Sequence, residues 1–226
     1  MTAADHLKNI FDADRAMRRA EQALLKVPHE PLADLLSTAV RDAKALESED
    51  EPEAMMRLPR LADLCAQVPG PEMADALIAI LDSEIPAIRV AAAEALVDVA
   101  FDRYAEVARA VDRVLERGHQ GPAMGELPWV IAEIAEPSAV PLIGRFLKLE
   151  DAAIVASATE ALATLGDPDA IPLLEPFLDD KRAVELGDGE DDDGVSATLG
   201  ELVSEVIYNL SRAQDAEHAS AMMEEN

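Results

Sequence analysis

Apolar side chains recur at Ile88, Ala92, Ala95, Leu96 and Val99, the spacing of one helical face, while Glu94 and Asp98 fall outside that stripe. The small alanines in it predict close approach by a neighbouring helix. Further along, Ala161 to Asp180 ("ALATLGDPDAIPLLEPFLDD") holds the end of one such pattern and the whole of a second, divided by Gly166-Asp167-Pro168. The glycine suits the left-handed conformation that ends a helix. The aspartate is placed to cap the next helix, and proline fits a first turn, where its missing N–H costs little. Pro172 and Pro176 lie deeper and are predicted to bend or shorten that second helix.

Weaker stripes predict helices over 5–27 and 32–47 as an N-terminal hairpin, and over 53–68 leading into the first clear repeat. Ser48 to Glu53 ("SEDEPE") has the composition of a charged linker. "GDGEDDDG" (Gly187 to Gly194) is too polar to pack and is expected to be a disordered acidic loop. The apolar stripe resumes over Ser196 to Leu210, and a polar helix or frayed tail follows.

The patterns repeat. "EPSAVPLIGRFLKL" (Glu136 to Leu149) overlays "DPDAIPLLEPFLDD" (Asp167 to Asp180) at an offset of 31, so that Pro137 meets Pro168, Pro141 meets Pro172 and Phe146 meets Phe177. "AAEALVDVA" (Ala92 to Ala100) overlays "ATEALATLG" (Ala158 to Gly166) at 66, about two periods. Two helices per period of this length indicate stacked hairpins, each sealing the apolar side of its neighbour. The expected fold is all-α, a right-handed α-solenoid (superhelix) of helical hairpins. It is expected as one domain over 1–226: an atypical cap over 1–52, repeats over 53–180, an acidic loop over 181–194 and capping helices over 195–226.

"IRVAAAEALVDVA" (Ile88 to Ala100), "IVASATEALATLGDPDAIPLLEPFL" (Ile154 to Leu178) and, more loosely, "PWVIAEIAEPSAVPLIGRFL" (Pro128 to Leu147) resemble the HEAT-like repeat of the type named after phycobilisome lyases. Arg89 stands at that pattern's arginine place, and Val155 replaces the arginine in the later copy. The resemblance covers residues 71 to 180. It implies a concave face lined by the second helices and, through the namesake, an alternative role as a bilin-lyase-like protein.

Composition narrows the function. Alanine-rich sequence with 3% aromatic residues favours helices, and 46 acidic against 19 basic residues give a net charge of -27. Such a surface repels phosphate backbones and anionic headgroups, so neither nucleic acid nor membrane is an expected partner. The expected partner is a protein, with basic ones favoured by charge. An N-terminus without a signal-peptide pattern, and apolar runs shorter than a membrane span, predict a cytoplasmic protein.

Chemistry is sparse. Cys65 is the one cysteine, in an apolar context that predicts a core residue. His6, His29, His119 and His218 lie far apart, and the single His29-Glu30 pair cannot supply the several His-Glu motifs from which the helical-repeat deoxyhypusine hydroxylases build a di-iron site. "GHQGPAMG" (Gly118 to Gly125) follows a helix and does not fit a phosphate loop. Placing Gly194 at the sixth position of an EF-hand loop leaves Gly189 and Gly200 where carboxylates belong, so that frame fails. No catalytic residue, metal site or cofactor is expected.

Two surface candidates remain. Trp129 aligns with Glu94 and Glu160, positions turned away from the stripe, and is an anchor candidate unless Pro128 tucks its ring inward. On the second helices, Arg113 aligns with Arg145 and Glu116 with Lys148, while Arg109 lies one turn before Arg113. These basic residues would either grip a partner's carboxylates or bridge neighbouring acids. The expectation is a non-catalytic adaptor or scaffold that binds a protein through its concave face. The alternatives are an acidic inhibitor or immunity-type protein masking a basic enzyme, and the bilin-lyase-like role.

Overall fold

A computed structural model describes residues 1–134, 136–186 and 195–224 of the chain. Two compact units divide it, Met1–Ala95 and Leu96–Asn226.

In the first unit, helices α1 (Ala3–Leu24), α2 (His29–Glu49), α3 (Glu51–Ala66) and α4 (Pro71–Leu81) precede the start of α5 (Pro86–Glu116). α2, α3 and α4 pack against one another over Leu36, Leu58, Leu77 and Ile80, all buried. The expected pairing of the first two helices is replaced by α2 on α3. Leu32, Leu36, Val40 and Ala43 line one face of α2, and Ala54, Leu58, Ala62 and Cys65 line one face of α3. In α1, by contrast, Asp14 and Glu21 interrupt the apolar face, and none of its residues is buried.

The charged stretch from Ser48 to Glu53 is not a linker. α2 runs to Glu49, and Asp50 caps α3, its carboxylate accepting from the Glu53 N–H at 3.2 Å. Glu51 and Glu53 then sit at the positive end of the helix dipole, where acidic side chains are stabilising. Basic groups tie off carbonyls at the turn after α4. Lys44 Nζ donates to the Asp82 carbonyl at 2.8 Å, and Arg89 Nη1 to those of Ser83 and Glu84 at 3.0 and 3.2 Å. The arginine place of the repeat therefore serves to close a turn. His29 has a similar task, its Nε2–H donating to the Pro69 carbonyl.

Cys65 is fully buried in α3, and burial pushes its thiol from 9.0 up to about 12. The folded protein therefore holds this proton more tightly than the unfolded chain. Its contribution to stability is complete below about pH 9 and is lost as the pH rises towards 12. A soluble thiol reagent at neutral pH is expected to label Cys65 only after denaturation; rapid labelling of native protein would contradict this placement.

The second unit contains the rest of α5, then α6 (Ala123–Ala132), α7 (Ala139–Ile143), α8 (Ala152–Leu165), α9 (Ile171–Leu174) and α10 (Leu199–Glu224). α5 is two helices joined at a kink: Arg103, at φ -140 and ψ 45, interrupts it. No glycine or proline marks the break. α8 packs against α6 on one side and α10 on the other, the stacking of successive repeats. In the last two hairpins the second helix is short and continues as a 3₁₀ turn, at Phe146–Lys148 after α7 and at Glu175–Phe177 after α9.

Gly166 takes φ 68 at the end of α8, and the Asp167 side chain accepts from the Asp169 N–H at 2.9 Å. Pro168 opens a 3₁₀ turn, and Pro172 and Pro176 cut the following segment into short pieces, as their missing donors require.

A two-stranded ribbon was not expected. β1 (Ala183–Leu186) pairs antiparallel with β2 (Val195–Thr198), Val184 opposite Ala197. The last helix consequently starts at Leu199 rather than at Ser196. Thr198 decides its start with a capping box: its N–H donates to Glu201 Oε2 at 2.8 Å, and the Glu201 N–H donates to Thr198 Oγ1 at 3.3 Å. The acidic stretch Gly187 to Gly194, expected to be a disordered loop, lies outside the described residues. The fold is all-α apart from this ribbon, built of stacked helical hairpins.

Candidate functional site

The five residues nominated from the sequence lie in the second unit. Trp129 sits on α6 between the buried Pro128 and Val130 and is 37% exposed. Pro128 is itself inside the hydrophobic layer and does not draw the indole in with it. A large apolar ring held partly in water on a rigid helix has the form of an interface anchor.

Arg109 and Arg113 project from residues 104–116 of α5, Arg109 exposed and Arg113 half-buried with an interaction of its own. Arg145 follows α7 and reaches back across the repeat, its Nη1 forming an ion pair with Asp112 Oδ1. The structure thus brings Arg145 beside the helix that carries Arg113, and most of its charge is answered there. Both partners remain more than a third exposed, so the pair is worth less than about 1 kcal/mol of stability. Nearby, burial raises the Tyr104 hydroxyl above its ordinary range, with the carboxylates of Glu136 and Asp112 adding to the effect. The local field on this helix is therefore not a purely basic one.

Lys148 has a different setting. It is exposed at the end of its 3₁₀ turn and lines a cleft of about 570 Å³ with His119, Pro122, Gly125, Asp151 and Ile154. The loop from Gly118 that the sequence marks as an inter-repeat connection forms one wall. Glu150 and Asp151 line the cleft together with the lysine, so it has no strong preference of sign.

Two features escaped the sequence reading. Phe101 is 82% exposed, two residues before the break in α5. It lies seven residues after Glu94, which places it on the same outward line of the helix, so its exposure was legible from spacing alone. Arg182 is the other. Its guanidinium holds both Asp180 oxygens at 2.6 to 3.2 Å and donates to the Leu149 and Glu150 carbonyls at 3.2 and 2.9 Å. Hydrogen bonding and charge from Arg182 hold the Asp180 carboxyl below its ordinary range. This arginine reaches carbonyls some thirty residues back, whereas Arg89 closes only its own turn, and no local motif announces it.

Among the described residues, no three His, Cys, Asp or Glu side chains gather as a metal group would require, and no helix is long and apolar enough to cross a membrane.

Comparison with known proteins bears on the repeat. Two crystal structures of engineered proteins from the Northeast Structural Genomics Consortium are similar at 15% identity. One has a TM-score of 0.36 and covers 86% of this chain and 96% of its own. The other has a TM-score of 0.34, covering 87% of this chain and 53% of its own, so this chain spans about half of it. No curated protein matches the chain. Residues 126–186, from within the Trp129 helix to the end of β1, match the family model described as HEAT repeats. With the hairpin stacking and the Gly166-Asp167-Pro168 junction inside that span, residues 126–186 are similar to HEAT repeats.

Proposed function

We propose that the protein is a non-catalytic adaptor or scaffold, acting in the cytoplasm, that binds a partner protein through the surface of its HEAT-like repeats. HEAT-repeat folds commonly mediate protein interactions. The observation that carries the proposal is the exposure of Phe101 and Trp129 on outward positions of an otherwise strongly acidic chain. Aromatic side chains left in water at this cost are the usual centres of binding energy. Arg109 and Lys148 supply exposed cations at the edge of the contact, while Arg145 and Arg113 are largely engaged within the protein.

The test starts with cross-linking and mass spectrometry in the native host, followed by titration of the purified pair. Trp129→Ala and Phe101→Ala are each expected to weaken binding by about 2 kcal/mol, roughly thirtyfold. Arg145→Glu is expected to change it by less than about 1 kcal/mol. A confirmed partner whose affinity survives both aromatic substitutions and Arg109→Glu/Lys148→Glu would dispose of the proposed surface. The net charge of -27 favours a second reading, in which the chain masks a basic enzyme. That reading requires an association rate that collapses with added salt, whereas an adaptor with an ordinary partner shows a shallow dependence.

A further inference from the structure

The three exposed aromatic side chains described in the second unit share a local setting. Phe101, Trp129 and Tyr208 each follow a carboxylate by three residues, those of Asp98, Glu126 and Glu205. At that spacing on a helix the two side chains are neighbours on one face. On α10 the place four residues after the ring holds Arg212, whose guanidinium carbon stands over Tyr208, 5.8 Å from the ring centroid. The fold thus shows what an exposed ring beside a carboxylate attracts here: an arginine held over its face. On α6 the same place after Trp129 holds Glu133, which is exposed and keeps helical backbone angles at the end of the helix. Trp129 therefore lies between two carboxylates, one turn to either side, where Tyr208 has one carboxylate and a cation of its own helix.

These neighbours decide between classes of occupant. A partner's phosphate or carboxylate would meet Glu133 on a chain of net charge -27, and is repelled. An apolar side chain laid over the indole would strip water from Glu133 and give it nothing in return. A guanidinium answers both groups, because its face packs on the ring while its N–H edge donates to a carboxylate. An ammonium matches the charge but lacks the plane and the forked donors. Glu126 is half-buried and has an interaction of its own, so Glu133 is the carboxylate that such a group meets first. Among aromatic rings, indole is also the strongest platform for a cation. Phe101 is less well placed, since the break at Arg103 ends the helical spacing that pairs Trp129 with Glu133.

We propose that the outward face of α6 docks an arginine side chain from a basic segment of the partner protein. Trp129 is the ring on which the guanidinium stacks, and Glu133 is the carboxylate that accepts its N–H groups. This rests on Trp129 being a contact residue of the protein-binding surface proposed above. Trp129 is the sole tryptophan, so the indole emission of the full chain reports on this position alone. Titration with a tetra-arginine peptide blocked at both ends, at physiological ionic strength, is expected to change that emission saturably. The matching tetra-lysine peptide is expected to act about fivefold more weakly. Glu133→Gln is expected to weaken the tetra-arginine response about threefold with an unchanged helical spectrum, since the side chain is in water. Glu116→Gln, which removes one exposed charge from α5, should leave the response as it was. Attraction by net charge alone gives the opposite results. An unmoved emission, equal response to the two peptides, or equal loss from the two glutamate substitutions would each overturn the proposal. The titration needs no identified partner, so its failure leaves the protein-binding reading standing, and that reading falls on its own test with a confirmed partner.

Discussion

Truncation of Phe146 to alanine is expected to destabilise the second unit by about 3 to 5 kcal/mol. Phe146 heads the largest fully buried side chains and opens the 3₁₀ turn that packs against α8. Its removal leaves a cavity in a close-packed interior, and the loss grows with the space that the surroundings fail to refill. The repeat provides its own control: Phe177 occupies the aligned place but is only half-buried, and Phe177→Ala should cost markedly less. Urea unfolding of both variants, with hydrogen exchange to locate the loss, checks the difference. Equal midpoints for the two would show that Phe146 is not the keystone of its repeat.

Gly200→Ala is expected to cost about 3 kcal/mol, although alanine is the better helix former. A Cβ at this position would stand 2.4 Å from the Leu178 carbonyl oxygen and 3.1 Å from that of Asp180. Both are backbone atoms and cannot rotate aside. The close approach is used, because the Gly200 N–H donates to the Asp180 carbonyl at 3.0 Å and the Leu199 N–H to that of Arg182 at 2.9 Å. These bonds occupy donors that the first turn of α10 would otherwise leave free. Displacing α10 breaks them and loosens its packing against α8. Gly166→Ala is the comparison: φ 68 strains any other residue, but nothing lies within 4 Å, so its cost should stay near 1 to 2 kcal/mol. The sign is decisive at Gly200. A thermal midpoint that rises on substitution would mean that α10 does not sit against this carbonyl.

Features that depend on neighbours in the chain were legible in the sequence. Gly166, Asp167 and Pro168 act within a few residues of one another, through a positive φ, one side-chain acceptor and one missing donor, and the structure uses each as expected. The stripe from Ile88 to Val99 is buried throughout. The same periodicity offered an outward Trp129 but left open a ring tucked in by Pro128, which the structure decided, and the exposure of Phe101 was available from it. The capping box of Thr198 and Glu201 was equally local, but the apolar stripe around it drew the helix start three residues too early.

The sequence by itself determined that the chain is helical, that its hairpins repeat, where the well-marked helices stop, and that its surface is strongly acidic. Only the tertiary structure decided that α2 pairs with α3 and leaves α1 uncovered, that α5 breaks at Arg103 without a glycine or proline, and that a ribbon precedes α10. It also decided that Arg145 is answered by Asp112 and that Arg182 reaches the Leu149 and Glu150 carbonyls. The division has one physical cause. A cap, a turn or a periodic face is set by atoms a few bonds apart, whereas burial and ion pairing depend on groups some thirty residues away, whose arrival is settled by the packing of the whole unit.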